Sequence, residues 1–218
     1  MTDKLRVLIT GFGPFPGAPY NPTMPLVKRL TQLRRPAFGD VELIGHIFHV
    51  TCGTVDRELR ELIVQRRPQA LLMFGLADRT AHVRIETRAR NAITTLFPDA
   101  DRNRARKGSI IDGADAMMFG PHTAKLLRAA DSTGIDARPS RNAGSYLCNY
   151  LSWRAIEATS KDDGPALAAF VHIPLLARGV QSRRKGMTHR VTLEGLVDAG
   201  EAMLLELVKL TRQAARTS

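Results

Sequence analysis

The chain of 218 residues contains only two cysteines, Cys52 and Cys148, and aromatic residues make up 6% of it. Two cysteines are too few for a disulfide framework and are typical of a reducing compartment, so the cytoplasm is the expected location. No apolar run is long enough to cross a bilayer, and Asp3, Lys4 and Arg6 precede the first apolar stretch, which argues against a signal peptide. We therefore predict no membrane partner.

Acidic residues are in the minority, since 32 Lys and Arg stand against 21 Asp and Glu and give a net charge of +11. Nucleic acid is the first partner that such a balance suggests. The basic residues nevertheless fall in short separate clusters beside loop-forming residues, without the interleaved aromatic rings that a base-stacking surface needs. These clusters lie at 34–35, 66–67, 102–107 and 183–185. Solvated loops are the simpler interpretation, and no nucleic-acid partner is predicted.

What remains is a globular composition, 44% hydrophobic and 24% charged, with 17 Gly and 12 Pro. This length fits one domain, and we predict a single one over residues 1–218. Apolar runs alternate with helical stripes along the chain, which predicts an α/β fold, a three-layer α/β/α sandwich with a mostly parallel or mixed central sheet. Strands are predicted at 5–11, 41–50, 70–75, 83–89, 136–139 and 167–173, and helices at 23–33, 54–66, 122–130, 144–159 and 192–213. A long surface segment is predicted at 98–120.

In sheets of this kind, binding and catalytic groups gather at the carboxyl ends of the strands. Cys148 stands near the start of a predicted helix, whose positive end favours a thiolate and whose free amides suit an oxyanion. Taken by itself, a lone cysteine in an apolar helix is more often a small core residue. Its position at the helix start favours the functional interpretation.

Two further groups complete a possible set. His172 ends a strongly apolar strand, where it is either a base at the sheet edge or a satisfied core histidine. Glu86 lies on the polar side of a short strand with Arg84 and Arg88, so an ion pair with either arginine explains it as well. Taken with Cys148, they supply a nucleophile, a general base and a group that orients the base.

Metal and cofactor sites are not predicted. His46 and His49 lie three apart on one strand and face opposite ways, and the other histidines show no ligand spacing. Gly11, Gly13 and Gly17 lie at and after the end of the first strand, but Pro16 breaks the dinucleotide-binding spacing and no helix opens there. The chemistry is therefore expected to rest on side chains alone.

Four separated motifs, in the same order over nearly the whole chain, resemble those of the pyroglutamyl peptidase I family, also called pyrrolidone-carboxylate peptidases, which are cysteine peptidases. They lie at 8–15 with 21–23, at 85–91, at 143–149 and at 170–174. The resemblance places the family's catalytic residues on Glu86, Cys148 and His172. These are the three residues that the chemistry alone had singled out.

The resemblance implies removal of an N-terminal pyroglutamyl residue from peptides, with no metal or cofactor, by an enzyme that is a homodimer or homotetramer. The pyroglutamyl ring is flat and neutral, so a pocket for it provides no counter-charge and rejects an ordinary N-terminal ammonium. The resemblance implies that Phe12 and Phe15 form the walls of this pocket. Asn21 and the main chain at Leu76 would contact the lactam, and Tyr146 and Leu147 would close the pocket.

The chain also departs from the family's pattern. Leu76 stands where many relatives carry Gln, and the segments 98–120 and 178–190 differ as well. These differences leave open the preference for the leaving peptide and the subunit contacts. A cysteine amidase of different acyl specificity, or an idle protein that only binds cyclised N-termini, remain the alternatives.

Overall fold

A computed structural model describes residues 4–176 and 191–216 of the chain. The divergent segment 178–190 lies outside these residues. The strands are β1 (Leu5–Phe12), β2 (Val41–Phe48), β3 (Ala70–Leu76), β4 (Val83–Glu86), β5 (Arg88–Arg90), β6 (Ala116–Met118), β7 (Ala137–Ser140) and β8 (Leu167–Ile173). The helices are α1 (Thr23–Thr31), α2 (Cys52–Arg66), α3 (His122–Asp131), α4 (Leu147–Thr159) and α5 (Leu193–Ala214), with a 3-10 turn at Pro36–Phe38. No helix in these two ranges is both long and apolar enough to span a bilayer.

The central sheet has six strands in the order β2-β1-β3-β8-β4-β7. Neighbouring strands run parallel except at one place, where β4 runs antiparallel to β8. β5 and β6 form a separate antiparallel ribbon. The sheet is thus mixed and mostly parallel, and the expected fold class is confirmed.

Helices cover both faces of this sheet because successive residues of a strand point to opposite sides. On β1, Val7 and Ile9 belong to a core packed against α1, α3 and α5. Leu8 and Phe12 belong to a second core, which includes the fully buried Trp153 of α4 and residues of α2. The two cores make the three layers that the alternation of elements predicts.

Local chemistry fixes where several helices begin and end. The hydroxyl of Thr51 accepts a hydrogen bond from the amide of Thr54 at 3.1 Å and caps α2. That helix ends at Arg67, whose φ of 45° lies in the left-handed region, immediately before Pro68. Thr192 caps α5 in the same way through the amide of Gly195.

Two predicted boundaries are wrong, and both lie beside the candidate site. The strand predicted over 83–89 breaks at Thr87, whose amide donates to Ser140 O while its carbonyl accepts from Phe119 N. β4 therefore stays in the main sheet and β5 leaves for the ribbon. The helix predicted from Gly144 starts instead at Leu147, because Gly144 has a φ of 84° and cannot belong to a right-handed helix.

The segment 98–120 follows the surface for most of its length, as predicted. Its last residues differ, because Ala116–Met118 forms β6 and pairs with β5. Asp99 organises the first turn by accepting hydrogen bonds from the amides of Asp101 and Asn103. The pairing with β5 anchors the far end of the segment close to the candidate site.

Candidate active site

Adjacent carboxyl ends of β3 and β8 form the floor of the site. Gly75 of β3 and His172 of β8 are register partners near the ends of their strands. His172 is 3% exposed, and its ring packs edge-on against Phe170 with the centroids 5.0 Å apart. The strand therefore delivers an imidazole to this edge of the sheet, which is the position predicted for it.

Cys148 reaches the ends of β3 and β8 from the helical layer that contains α4. It is the second residue of α4, and its sulfur lies above the backbone of Gly75. A Cβ placed on Gly75 would be 2.6 Å from Cys148 Sγ and 2.7 Å from the Phe170 ring. Such contacts are far shorter than van der Waals separation, so only glycine leaves room for the sulfur beside His172.

Glu86 completes the group from the antiparallel strand. Its side chain is fully buried, and Oε1 lies 2.8 Å from Nδ1 of His172. With Nδ1–H donating to this carboxylate, Nε2 is the imidazole nitrogen left without a proton and able to accept one. The arrangement gives the histidine the tautomer that a general base requires.

Arg84 joins this pair from two residues earlier on β4. Its Nε and Nη2 lie 3.1 and 2.8 Å from the same oxygen of Glu86. The ion pair considered from the sequence therefore exists, together with the hydrogen bond to His172 rather than instead of it. On a strand, residues two apart share a face, which is why both side chains reach one site.

The pKa values describe a resting site with neutral sulfur and neutral imidazole. Burial raises the pKa of Cys148 to about 12, and the charge of Glu86 adds to this effect. Burial also lowers the pKa of His172, against the opposing influence of Glu86. For Glu86 burial acts to raise the pKa, but the hydrogen bond and charge of His172, with Ser140 and Arg84, bring it below the ordinary value.

Burial of Cys148 thus opposes the effect of the helix start, which the sequence predicts to favour a thiolate. The charge of Arg84 and the backbone amide of Cys148 lower the pKa of the thiol, but burial outweighs them. A sulfur of this kind has to lose its proton to a base as it reacts.

A braced loop positions the start of α4. Asn149 is fully buried, and its side-chain amide donates to the carbonyls of Arg90 and Ala92 while its oxygen accepts from the amide of Arg90. Arg90 in turn donates to the carbonyl of Gly144. These bonds fasten β5 to both sides of Cys148 and hold the first turn of α4 in place.

The loop after β1 carries most of the residues expected to bind the pyroglutamyl ring. Phe15 is half-buried, and its ring lies 6.0 Å from that of Tyr146, so these two side chains do come together. Phe12 is only 2% exposed and packs on Phe48 in the core, which places its ring behind the site.

Asn21 is 1% exposed and its described hydrogen bonds all lie within the loop. Its amide donates to Gly13 O, and its oxygen accepts from the backbone and hydroxyl of Thr23. Thr23 then bonds both backbone groups of Phe12. These contacts make Asn21 a support for the loop, while its expected contact with a lactam stays a prediction.

The other two predicted residues lie on either side of the floor. Leu76 is the last residue of β3, next to Gly75, and is half-buried. Leu147 is buried at the start of α4 and lines a cavity of about 400 Å³. The same cavity is lined by Tyr146, Cys52 and Phe97, with Arg104, Arg106 and Lys107 of the segment 98–120.

Sequence reasoning missed Gly75 and gave Arg84 no role beyond an ion pair. Gly75 stands inside an apolar strand, where a glycine is a signal for close approach of another group. Within the residues that the structure describes, no group of three or more His, Cys, Asp or Glu side chains is placed to hold a metal ion.

A thiol, an imidazole and a carboxylate converge here at the carboxyl edge of an α/β sheet, an arrangement that defines the class of cysteine hydrolases. The family model for pyroglutamyl peptidase matches residues 5–206. The chain therefore belongs to the pyroglutamyl peptidase family and is a cysteine peptidase.

Individual relatives agree with this family. A pyrrolidone-carboxylate peptidase of Coprothermobacter proteolyticus is 30% identical over 210 residues, covering 94% of this chain and 99% of the relative. A pyrrolidone-carboxylate peptidase of Pyrococcus furiosus is 29% identical over 211 residues, covering 94% of this chain and 100% of the relative. The solved pyrrolidone carboxyl peptidase of Thermococcus litoralis superposes with a TM-score of 0.84 at 25% identity, covering 96% of both chains. The solved pyrrolidone carboxyl peptidase of Fervidobacterium islandicum superposes with a TM-score of 0.82 at 30% identity, covering 94% of this chain and 99% of the other.

Proposed function

We propose that the protein hydrolyses the amide bond that follows an N-terminal pyroglutamyl residue in peptides. In this proposal Cys148 is the nucleophile, His172 the general base and acid, and Glu86 the group that orients His172. Family membership supports the substrate class. One observation carries the assignment of residues: the sulfur lies above Gly75, the register partner of a histidine bonded to a buried carboxylate at 2.8 Å.

The proposed reaction starts from the neutral pair. As Sγ of Cys148 attacks the pyroglutamyl carbonyl carbon, its proton passes to Nε2 of His172, and Glu86 stabilises the imidazolium that forms. The tetrahedral intermediate collapses when His172 returns this proton to the leaving nitrogen, which breaks the amide bond and leaves a thioester. Water then adds to the thioester with His172 as base, and release of pyroglutamate restores the thiol.

The first turn of α4 is the proposed donor for the oxyanion. Tyr146 is the N-cap of this helix, and no side chain caps the free amides that follow it. Backbone N–H groups at a helix start, with the helix dipole behind them, stabilise negative charge that develops on a carbonyl oxygen. The amides of Leu147 and Cys148 belong to this turn and move with the nucleophile.

For recognition of the pyroglutamyl ring, we propose Phe15 and Tyr146 as walls, the main chain at Leu76 as a lactam partner, and Leu147 as a closing contact. Phe12 and Asn21 shape the loop that presents Phe15, and Asn21 is also proposed to contact the lactam. Phe15 and Tyr146 suit a flat ring because aromatic faces pack well on planar groups. A neutral lactam enters without the penalty that a buried ammonium would carry.

We further propose that the enzyme acts in the cytoplasm as a single-domain subunit of a homodimer or homotetramer. Both cysteines are free in the structure, which suits a reducing compartment. Several large apolar side chains are exposed and available for subunit contacts, among them Leu96 at 73% and Phe97 at 66%. Light scattering on the purified protein measures the assembly directly.

The decisive experiment compares wild type, Cys148→Ser and Cys52→Ala on a pyroglutamyl-arylamide, with prolyl- and glutaminyl-arylamides as matched substrates. We expect hydrolysis of the pyroglutamyl compound only, and a fall in kcat/KM of about 10³-fold or more in Cys148→Ser. Cys52→Ala keeps the activity and remains sensitive to a thiol alkylator, because the reactive sulfur is still present.

Other results separate the alternatives. Wild-type rates in Cys148→Ser would remove this residue from the role of nucleophile. Hydrolysis of a different acyl-arylamide in place of the pyroglutamyl one would show a cysteine amidase of changed specificity. Binding of a pyroglutamyl peptide without turnover would show the idle binding protein.

A further inference from the structure

The guanidinium of Arg84 lies where the carboxylate, the imidazole and the loop before α4 meet. Besides its two contacts with Glu86, its Nη2 donates to the carbonyl of Asn142 at 2.8 Å and lies 3.2 Å from Nδ1 of His172. The side chain of Arg84 is 22% exposed and that of Glu86 is 0% exposed, so Arg84 lies nearer to solvent than the carboxylate it contacts. A nucleophile, a base and an orienting carboxylate do not in themselves require this cation.

We propose that Arg84 is a positioning residue for the reaction, which fixes the carboxylate of Glu86 against His172, ties this pair to the loop leading to Cys148, and places a positive charge beside the imidazole. This inference rests on the proposed function for its kinetic consequences. Its geometry stands on the contacts alone.

Hydrogen bonding explains the positional part. Oε1 of Glu86 accepts hydrogen bonds from Nε and Nη2 of Arg84 and from Nδ1 of His172. Oε2 accepts none of hydrogen-bond length from the residues that the structure describes, although the Ser140 side chain is near enough to lower the pKa of the carboxyl. The three hydrogen bonds that orient the carboxylate therefore all meet at Oε1. Without Arg84 one donor remains on that oxygen, and a buried carboxylate with one donor is free to seek other partners by turning about its terminal bond.

The bond to Asn142 extends this control to the nucleophile. Asn142 begins the turn in which its side chain accepts from the amide of Gly144, four residues before Cys148. Arg84 thus contacts one end of the loop and the catalytic pair with the same nitrogen. Without the Arg84 side chain, we expect the distance between Cys148 Sγ and the His172 ring to vary more.

The positive charge of Arg84 also affects the titration of the two reacting groups. The groups of the described chain that face His172 are Glu86 and Arg84 from β4 and Cys148 from α4, while β3 contributes only Gly75. The positive charge of Arg84 lowers the pKa of His172 and also that of Cys148. Removing it favours protonated imidazole and neutral thiol, so the pKa of each group rises.

The test uses Arg84→Met, Arg84→Gln and Arg84→Lys, with Arg88→Met as the control. Arg88 loses the same charge two residues beyond Glu86, where its Nε donates to Arg141 O instead of to the site. Two properties are measured: the pH profile of kcat/KM on a pyroglutamyl-arylamide, and the rate of alkylation of Cys148 by iodoacetamide at pH 8, followed by peptide mass spectrometry. Cys52, the only other cysteine, is the internal reference.

In Arg84→Met we expect the acid limb of the pH profile, which reports deprotonation of His172, to move up by about one pH unit. We also expect kcat to fall by about 10- to 100-fold with little change in KM, and alkylation of Cys148 relative to Cys52 to slow about three- to tenfold. Arg84→Lys restores the pH profile because it restores the charge, but recovers kcat only in part because an ammonium lacks the guanidinium fork. Arg88→Met behaves as wild type.

A wild-type pH profile and alkylation rate in Arg84→Met would overturn the proposal, as would equal shifts in Arg88→Met. If Arg84→Met does not fold, Arg84→Gln decides, since it keeps a donor and removes the charge. A shifted acid limb supports the proposal and an unshifted one overturns it. If the wild type cleaves no pyroglutamyl substrate, the proposed function fails and alkylation alone decides the role of Arg84.

Discussion

Replacement of Gly75 by alanine tests the central contact of the site. The new methyl group would be 2.6 Å from Cys148 Sγ and 2.7 and 2.9 Å from two carbons of Phe170. Non-bonded atoms of this kind normally stay about 3.5–4.0 Å apart, so the sulfur or the strand has to move by about 1 Å. Displacement of a reacting group by this distance costs about 10²-fold in rate. Overpacking of a buried strand costs about 1–3 kcal/mol in the free energy of unfolding.

The assay is kcat/KM on a pyroglutamyl-arylamide, with thermal unfolding measured in parallel. Gly108→Ala is the control, because its added methyl group meets nothing within 4 Å. The double variant Gly75→Ala/Phe170→Leu separates the two overlaps, since it relieves the ring and leaves the sulfur. We expect it to recover stability but not activity. Wild-type kcat/KM in folded Gly75→Ala would show that the sulfur does not react from this position, and the proposed convergence would be wrong.

Two further predictions concern buried ionisable groups. Glu86→Gln should lower kcat by about 10²- to 10⁴-fold at unchanged KM, because the amide no longer fixes the His172 tautomer. Since the pKa of Glu86 lies below its ordinary 4.5, its contribution to stability is present above that pH and lost below it, so the Tm difference between wild type and Glu86→Gln should shrink from pH 5 to pH 3. His122 is buried with Nε2 2.8 Å from Ala168 O, and burial lowers its pKa below 6.5. It therefore stabilises the fold above pH 6.5 and less below, and the Tm of wild type should fall more steeply from pH 7 to pH 5 than that of His122→Gln; parallel curves would contradict this.

Hydrophobic patterning predicted the layers of the fold because the strands are apolar on both faces. Ala70–Leu76 and Leu167–Ile173 are buried almost throughout, and such runs are typical of strands covered on both sides. The pattern does not reveal which neighbours a strand takes. The antiparallel placement of β4 beside β8 depends on long-range pairing, and nothing within Val83–Glu86 specifies it.

The local boundaries failed where tertiary hydrogen bonds override propensity. Thr87 has the alternating pattern of a continuous strand, yet its backbone bonds to Ser140 and Phe119 divide β4 from β5. The first turn of α4 is likewise displaced by a glycine at positive φ and an extended Tyr146. A single sequence contains the residues for these features but not their partners.

Cys148, His172 and Glu86 could be chosen from the sequence because each is a reactive type beside a predicted strand end or helix start. Their convergence could not be derived, because it depends on the register that sets Gly75 opposite His172. The raised pKa of the Cys148 thiol could not be predicted either, because burial raises it and the helix position alone favours a thiolate.

Because β4 runs antiparallel to β8, its positive and negative side chains lie at different depths in this enzyme. Along a parallel strand the chain climbs towards the open rim of the sheet, but along β4 it descends, so that Arg84 lies beside His172 and Glu86 lies lower, beside Phe170. Glu86 therefore lies deeper than His172 and is fully buried, whereas Arg84 lies nearer to solvent. A hydrolase that must admit water to its thioester can in this way keep the same water away from the carboxylate that steadies its histidine.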